Sequence, residues 1–284
     1  MQTQLIGRVD IDQERLRTDL AATRDFRFSE PYIEFSIGRP WSSCMLWTHG
    51  GEVGDGVIAH YDPSRPSRPT PYGERLPYVT ELIERTFDTE HLLFARLAVM
   101  SETVLMPHRD YVEFTEVPEE QRATHRLHVP LATNEDCLFL EDGTVYRMKS
   151  GEVWCLDVTR MHSAGVLSDF RRMHVILDFA GVPDPYRLLR ADVTTRPGIP
   201  AGNTIARPAL TDQEYAAVLR LAEVVDLDNL PELFGILIKK NFRRDGGPDF
   251  VWRAAREIAR RSGRPEIVDR MAELHKHHML ERDE

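Results

Sequence analysis

Cysteine is scarce in this chain. Cys44, Cys137 and Cys155 are the only three in 284 residues, widely separated, odd in number and without a Cys-x-x-Cys spacing. A disulfide framework is therefore not expected, and the thiols should sit reduced in a cytoplasmic protein. Long apolar runs are missing as well. None approaches the ~20 residues needed to span a bilayer, so no membrane partner is expected. The opening "MQTQLIGRVDIDQ" lacks the basic, apolar and small-residue order of a secretory signal. Blocks of Lys and Arg are absent too, and the formal net charge is −10. That argues against a nucleic-acid partner, and an anionic small substrate would need a local group of arginines to oppose the global field.

What is present is ordinary globular composition, 42% apolar, in a chain long enough for one large domain or two modest ones. "LIGRVDI" has the look of a strand, and "DQERLRTDLAA" places Leu16 and Leu20 at helical spacing. The run 62–77, with five prolines, reads as an extended loop feeding the helical pattern "YVTELIERTF". From residue 92 to 180 the pattern changes to short runs separated by turn signals: "LLFARLAVM", "TVLMPHRDYVEF", "HRLHVPL", "CLFLEDGTVYRM", "GEVWCLDV" and "RMHVILDFAG". "EDGT" is an Asp-Gly hairpin turn. Six or more strands of this kind must close or stack, which predicts a β-sandwich or barrel.

A Pro/Gly-rich connector follows at about 190–210, and then helices. "TDQE" at 211–214 is a capping box, Gly263 stops one helix, and Pro265 opens the next. The expected organisation is a β domain with N-terminal flanking helices over 1–190, a connector over 191–210, and a small helical C-terminal domain over 211–284.

On a strand, residues two apart share a face. His108 and Asp110 in "LMPHRDYVEF" therefore project together while Arg109 turns away, giving two thirds of a two-histidine, one-carboxylate site for non-haem Fe(II). A third ligand must come from a distant strand, and His162, 52 residues beyond Asp110 at the start of a late strand, is the best candidate. Such sites also need a cation for the far carboxylate of 2-oxoglutarate, a role suited to the planar fork of arginine. Alternation puts Arg172, His174 and Asp178 on one strand face and Arg171, Met173, Val175, Leu177 and Phe179 on the other. The apolar set should pack outward, leaving Arg172 to face the pocket. By the same parity Arg126 and His128 face inward, and Arg96, a lone charge in an apolar strand, is a further inward candidate.

Alone, a His-x-Asp pair is more often a surface strand with a hydrogen-bonded histidine; the ordered set is what carries specificity. A kinase catalytic loop also begins His-Arg-Asp, but "HRDYVEFT" lacks the later Asn, and no Gly-rich phosphate loop precedes it. The terminal "HKHH" (His275, His277, His278) reads as cations at a helix C-terminus, where they offset its dipole. Trp41, Trp47, Trp154 and Trp252 read as core or pocket wall.

With "PHRDY", "HRLHVPLATNEDC", "GEVWCLD" and "HSAGVL…RRMHVILDF" in this order, the chain resembles the bacterial 2-oxoglutarate-dependent free L-proline hydroxylases of the aspartyl/asparaginyl β-hydroxylase superfamily. The resemblance extends to "IGRVDIDQERLRTDL", "FSIGRPWSSCML" and the helical tail. It implies a double-stranded β-helix, or cupin-like jelly roll. It also implies iron on His108, Asp110 and His162, and 2-oxoglutarate on Arg172 with His128 near its 1-carboxylate. Arg126 would lie near the substrate carboxylate; Arg96, taken as inward from the strand pattern alone, is a second substrate-binding candidate. The presence of Asp110 favours the small-molecule branch over the animal aspartyl hydroxylases. The implied reaction uses Fe(II), O₂ and 2-oxoglutarate, with ascorbate as reductant in vitro. It hydroxylates a ring carbon of a free cyclic amino acid, proline or pipecolate, and releases succinate and CO₂. A hydroxylase of another free amino acid or of a peptidyl residue, and a non-catalytic cupin-like metal or ligand binder, are the alternatives, and the oligomeric state is left open.

Overall fold

The structure is a computed structural model and describes residues 3–110, 123–191, 193–195 and 198–279. In chain order its strands are β1 (Gln4–Arg8), β2 (Ser36–Gly38), β3 (Ser42–His49), β4 (Ser67–Pro69), β5 (Leu92–Met100), β6 (Thr103–Leu105) and β7 (Ala123–Ala132). They continue as β8 (Cys137–Glu141), β9 (Thr144–Tyr146), β10 (Glu152–Leu156), β11 (His162–Val166), β12 (Arg172–Ala180) and β13 (Thr204–Ile205). The helices are α1 (Gln13–Ala22), α2 (Pro71–Glu74), α3 (Pro77–Thr86), α4 (Asp212–Leu219), α5 (Leu230–Arg243), α6 (Phe250–Ser262) and α7 (Pro265–Met279).

The strands form two antiparallel sheets, one of order β1-β10-β7-β12-β5-β3-β4 and one of order β13-β9-β8-β11-β6-β2. Alternation decides what each face meets. On the seven-stranded sheet, Leu97, Leu127, Val129, Val175 and Leu177 point outward and pack with Leu16, Val79 and Leu82 of α1 and α3. The opposite face supplies Ala98, Met100, Trp154 and Ile176, which meet Phe139, Ala164 and Val166 of the second sheet. The outer face of that second sheet is covered in turn. Val104, Leu138, Leu140 and Val145 share one core with Phe234, Trp252, Ile258 and Met271 of the C-terminal helices. The helical segment thus packs its apolar faces directly on the β core.

Local signals account for most boundaries. The β8–β9 hairpin turns through Asp142 (φ 43°) and Gly143 (φ 85°), both in the left-handed region that an Asp-Gly turn supplies. Thr211 and Glu214 form a reciprocal capping box on α4, and Gly263 ends α6 at φ 69°.

Three expectations need correction. The proline-rich run 62–77 is not simply an extended loop: it contains β4, which pairs with the end of β3, and α2, capped by the Thr70 hydroxyl. Residues 105–114 are not one strand, because β6 stops at Leu105 and His108 joins the sheet only through a single bridge to His162. The remainder of that run, from Tyr111, lies outside the described residues, as do 192, 196 and 197 of the connector and 280–284 of the tail. Finally, His278 is no solvent-facing cation: it is 1% exposed, and burial takes its imidazole down to about 4.

Candidate metal centre and active site

The site lies on the inner face of the sandwich. His162 opens β11, where five ladder pairs to β8 hold its backbone. His108 lies beside it, exchanging two backbone hydrogen bonds of 2.9 Å with it, and the two imidazole centroids are 4.3 Å apart. Each ring's Nδ1 is occupied by a backbone carbonyl, Met106 for His108 at 2.6 Å and Arg160 for His162 at 3.0 Å. With Nδ1–H donating, the lone pair sits on Nε2 of both rings, as outer carbonyl partners arrange it in metal sites. The Asp110 carboxylate completes the group, its Oδ1 3.5 Å from His108 Nε2. Ligand-capable atoms of His108, Asp110 and His162 all lie within 4.8 Å of one another. They form the one such His/Cys/Asp/Glu cluster among the described residues.

Protonation states suit ligation. Burial, with His162 beside it, lowers His108 to about 4, so it is neutral at pH 7. Removal from bulk water alone would raise Asp110, but the Arg126 charge, with the two imidazoles, carries its carboxyl below the ordinary range. Arg126 does this from β7, where it donates from a terminal nitrogen to Asp110 Oδ2 and from Nε to Asp178 Oδ1 at 2.7 Å. Asp178 of β12 also accepts from Arg96 of β5 at 3.2 Å, and Arg96 lies over the Trp41 ring. The result is a chain of alternating charge, Arg96–Asp178–Arg126–Asp110. The register explains it: Asp178 opposes Arg126 on one side and Phe94, two residues from Arg96, on the other.

A second group lies along β12. Arg172 is 5% exposed; its guanidinium lies 3.0 and 3.1 Å from the two ring nitrogens of His174, one of which accepts in the neutral ring, and it donates to Met100 Sδ at 2.9 Å. No carboxylate pairs with it among the described residues, and burial draws it down to about 10. His128 of β7 is buried with neither ring nitrogen partnered among the described residues. Burial and the charges of Arg172, Arg126 and Arg96 hold it neutral. A buried cation without its anion, beside an imidazole without a partner, is costly unless a ligand completes it. Arg171 goes the other way, donating to Thr23 and covering Phe28.

All seven residues singled out in the sequence therefore reach the inner side of the seven-stranded sheet or the triad beside it. The distribution of charge departs from expectation, however. Arg126 and Arg96 are already balanced by Asp178 and Asp110, and of these three arginines only Arg172 has no carboxylate partner among the described residues. Asp178 received no role from the sequence, although an acidic residue in the nine-residue, wholly buried strand β12 is a signal in itself. Met100 and His174, which cradle the Arg172 guanidinium, carried no such mark.

Residues 10–181 match the family model described as aspartyl/asparaginyl β-hydroxylase, and residues 185–284 match that described as L-proline 3-hydroxylase, C-terminal. The L-proline cis-4-hydroxylase of Rhizobium meliloti (strain 1021) is 32% identical over 96% of this chain and 94% of that protein. L-proline cis-3-hydroxylase 1 of a Streptomyces species is 29% identical over 95% and 92%. Among solved structures, the viral collagen prolyl hydroxylase of Paramecium bursaria Chlorella virus-1 aligns with a TM-score of 0.36. It is 11% identical over 62% of this chain and 95% of that one.

Proposed function

Because the chain belongs to the aspartyl/asparaginyl β-hydroxylase family, we propose that it is an Fe(II)- and 2-oxoglutarate-dependent dioxygenase acting on free L-proline. It hydroxylates a ring carbon, and L-pipecolic acid is a second substrate, since one methylene shifts binding by only ~1–3 kcal/mol. The observation that carries this reading is the convergence of His108, Asp110 and His162, together with a buried Arg172 that no carboxylate pairs among the described residues. The similarity to proline hydroxylases along nearly the whole chain supports the choice of substrate.

The donor set fits a non-haem iron: two imidazoles and one carboxylate. Fe(II) bound there, with 2-oxoglutarate and O₂, supplies the oxidation of an unactivated C–H bond, with succinate and CO₂ as coproducts. His108 and His162 offer Nε2, and Asp110 offers Oδ1. Arg126 holds Oδ2 of Asp110 and so would leave Oδ1 as the oxygen offered to the metal. Arg172 would take the distal carboxylate of 2-oxoglutarate, its fork matching two oxygens. His128 would donate to the 1-carboxylate. Arg96 and Arg126 face the substrate as donors whose charge Asp178 and Asp110 already balance, and so align a carboxylate without an uncompensated field. Closely packed neighbours hold these groups in place, which is how one C–H bond can be aimed and others excluded.

This reading includes a double-stranded β-helix, or jelly roll, for the paired sheets over 1–190. The connector 191–210 and the helical domain 211–284 follow it. The partner is a small amino acid rather than nucleic acid or a membrane, and a cysteine content of three, without a Cys-x-x-Cys spacing, supports a reducing, cytoplasmic setting.

The test is an aerobic incubation with Fe(II), ascorbate, 2-oxoglutarate and L-proline, or L-pipecolate in parallel. Proline gaining one oxygen, with succinate formed alongside, is expected. Succinate without hydroxylated amino acid would overturn the substrate; neither product, from protein loaded with iron, would overturn the reading.

A further inference from the structure

The segment that carries two of the three metal-ligand candidates is the least sheet-like part of the site. Beyond Leu105 the ladder stops, and residues 106–110 have one bridge, His108 to His162. Residues 106–108 are buried, and backbone donors and acceptors that leave a ladder there must find partners elsewhere. Two come from nearby β-side loops: the Phe35 carbonyl accepts from Met106 N–H and the Val158 carbonyl from Asp110 N–H, each at 2.8 Å. The other two come from the C-terminal helices. The Trp252 indole N–H donates to the Pro107 carbonyl at 3.1 Å, and Arg109 N–H donates to the His278 carbonyl at 3.0 Å.

Both contacts have local causes. Trp252 is 0% exposed in the first turn of α6, and a buried indole N–H requires an acceptor. His278 lies in the last turn of α7, where carbonyls have no intrahelical donor left. The side chains follow the same line. The Phe35 ring lies against His108 at 4.9 Å and against His278 at 4.8 Å, and His278 packs on Trp252 at 5.8 Å. His108 is thus held on one side by His162 and flanked, at residues 107 and 109, by the helical tail. Apolar packing on the outer sheet face requires neither of these directed hydrogen bonds.

We infer that the C-terminal helices are a positioning element for the metal centre, with Trp252 and His278 fixing where His108 and Asp110 point. This rests on the reading of His108, Asp110 and His162 as metal ligands. His162 is secured by its own ladder, so loosening the tail moves two ligands relative to the third. Partners one step removed from metal ligands are worth ~10–100-fold in metal affinity. By reciprocity, metal binding must in turn steady the helices that make these contacts.

The full-length protein, titrated with Co(II) and followed by its visible absorption, provides the test. Trp252→Phe keeps an aromatic side chain, removes the donor and leaves a small cavity that the second variant controls for; its Co(II) dissociation constant should rise about tenfold or more, with an altered band shape. Ile258→Val, on the same helix and 0% exposed, should lower the thermal midpoint of the metal-free protein and leave Co(II) affinity unchanged. In the unmutated protein, Co(II) should slow amide exchange in α6 and α7. Equal Co(II) affinity in Trp252→Phe and wild type would overturn the positioning role. So would losses in both variants that merely track stability, or protection confined to residues around 108 and 162. Absence of Co(II) binding by the wild type would instead overturn the metal reading, and this role with it.

Discussion

The Arg126 guanidinium is shared between Asp110 and Asp178, one carboxylate at the metal-ligand cluster and the other on the neighbouring strand. Arg126 therefore orients Asp110 and keeps it ionised. In Arg126→Gln the Asp110 carboxyl should titrate at higher pH, because the charge that holds it down is gone. Metal affinity should fall by about tenfold at neutral pH and be lost at a higher pH than in wild type as pH drops, because the ligand carboxylate protonates sooner. Co(II) titrations at several pH values check this; a profile superimposable on wild type contradicts it.

Asp178 is the acceptor for two buried cations, Arg96 and Arg126. Asp178→Asn leaves both short of charge and should destabilise the protein by about 3–5 kcal/mol, the usual cost of breaking one side of a buried pair. Chemical denaturation measures it. A loss under 1 kcal/mol would mean that solvent reaches these groups.

Arg172 has the opposite balance: a buried cation with no carboxylate partner among the described residues. Arg172→Met should stabilise the protein in the absence of 2-oxoglutarate, since an uncompensated charge is removed. The same change should raise the 2-oxoglutarate KM by ~10–100-fold, the worth of hydrogen bonds to a charged group. Arg171→Ala should do neither, as that side chain points to Thr23 and Phe28. The reverse pattern between the two variants would assign the anion to the wrong arginine.

Stability should depend on pH in a defined direction. His128 and His174 are buried with values well below 6.5, and burial lowers His278 to about 4. Below about 6.5 the unfolded chain takes up protons that these folded imidazoles refuse, so stability is full above that pH and falls as pH drops towards 4. Each such group contributes up to ~1.4 kcal/mol per pH unit in this window. His108, also lowered to about 4, adds to the slope in metal-free protein. The thermal midpoint should therefore fall from pH 7 to pH 5, and His278→Gln should flatten the fall. A midpoint unchanged across that range contradicts neutral burial.

Much of this was legible because alternation along a strand is a local property. Arg172 and Arg171 separate onto opposite faces by parity alone, and Arg126 with His128 separates likewise from Leu127 and Val129. What local pattern could not convey was which partner each group finds. His278 looks like a terminal cation in "HKHH", yet tertiary packing against Phe35 and Trp252 buries it. "TVLMPHRDYVEF" has strand composition, yet the ladder ends at Leu105, because the segment carrying His108 is held by a bridge and by distant helices. Asp178 has the same parity as Arg172, but its pairing with Arg96 and Arg126 depends on the order of three strands that are not consecutive in sequence.

The most direct test of the proposed chemistry follows the oxygen atoms. Iron-loaded protein turning over L-proline and 2-oxoglutarate under ¹⁸O₂ should yield hydroxylated proline carrying ¹⁸O, with labelled succinate formed in equal amount. Both products should vanish in His162→Ala, which retains its fold. Hydroxylated proline whose oxygen comes from water, or turnover that persists in His162→Ala, would contradict the account.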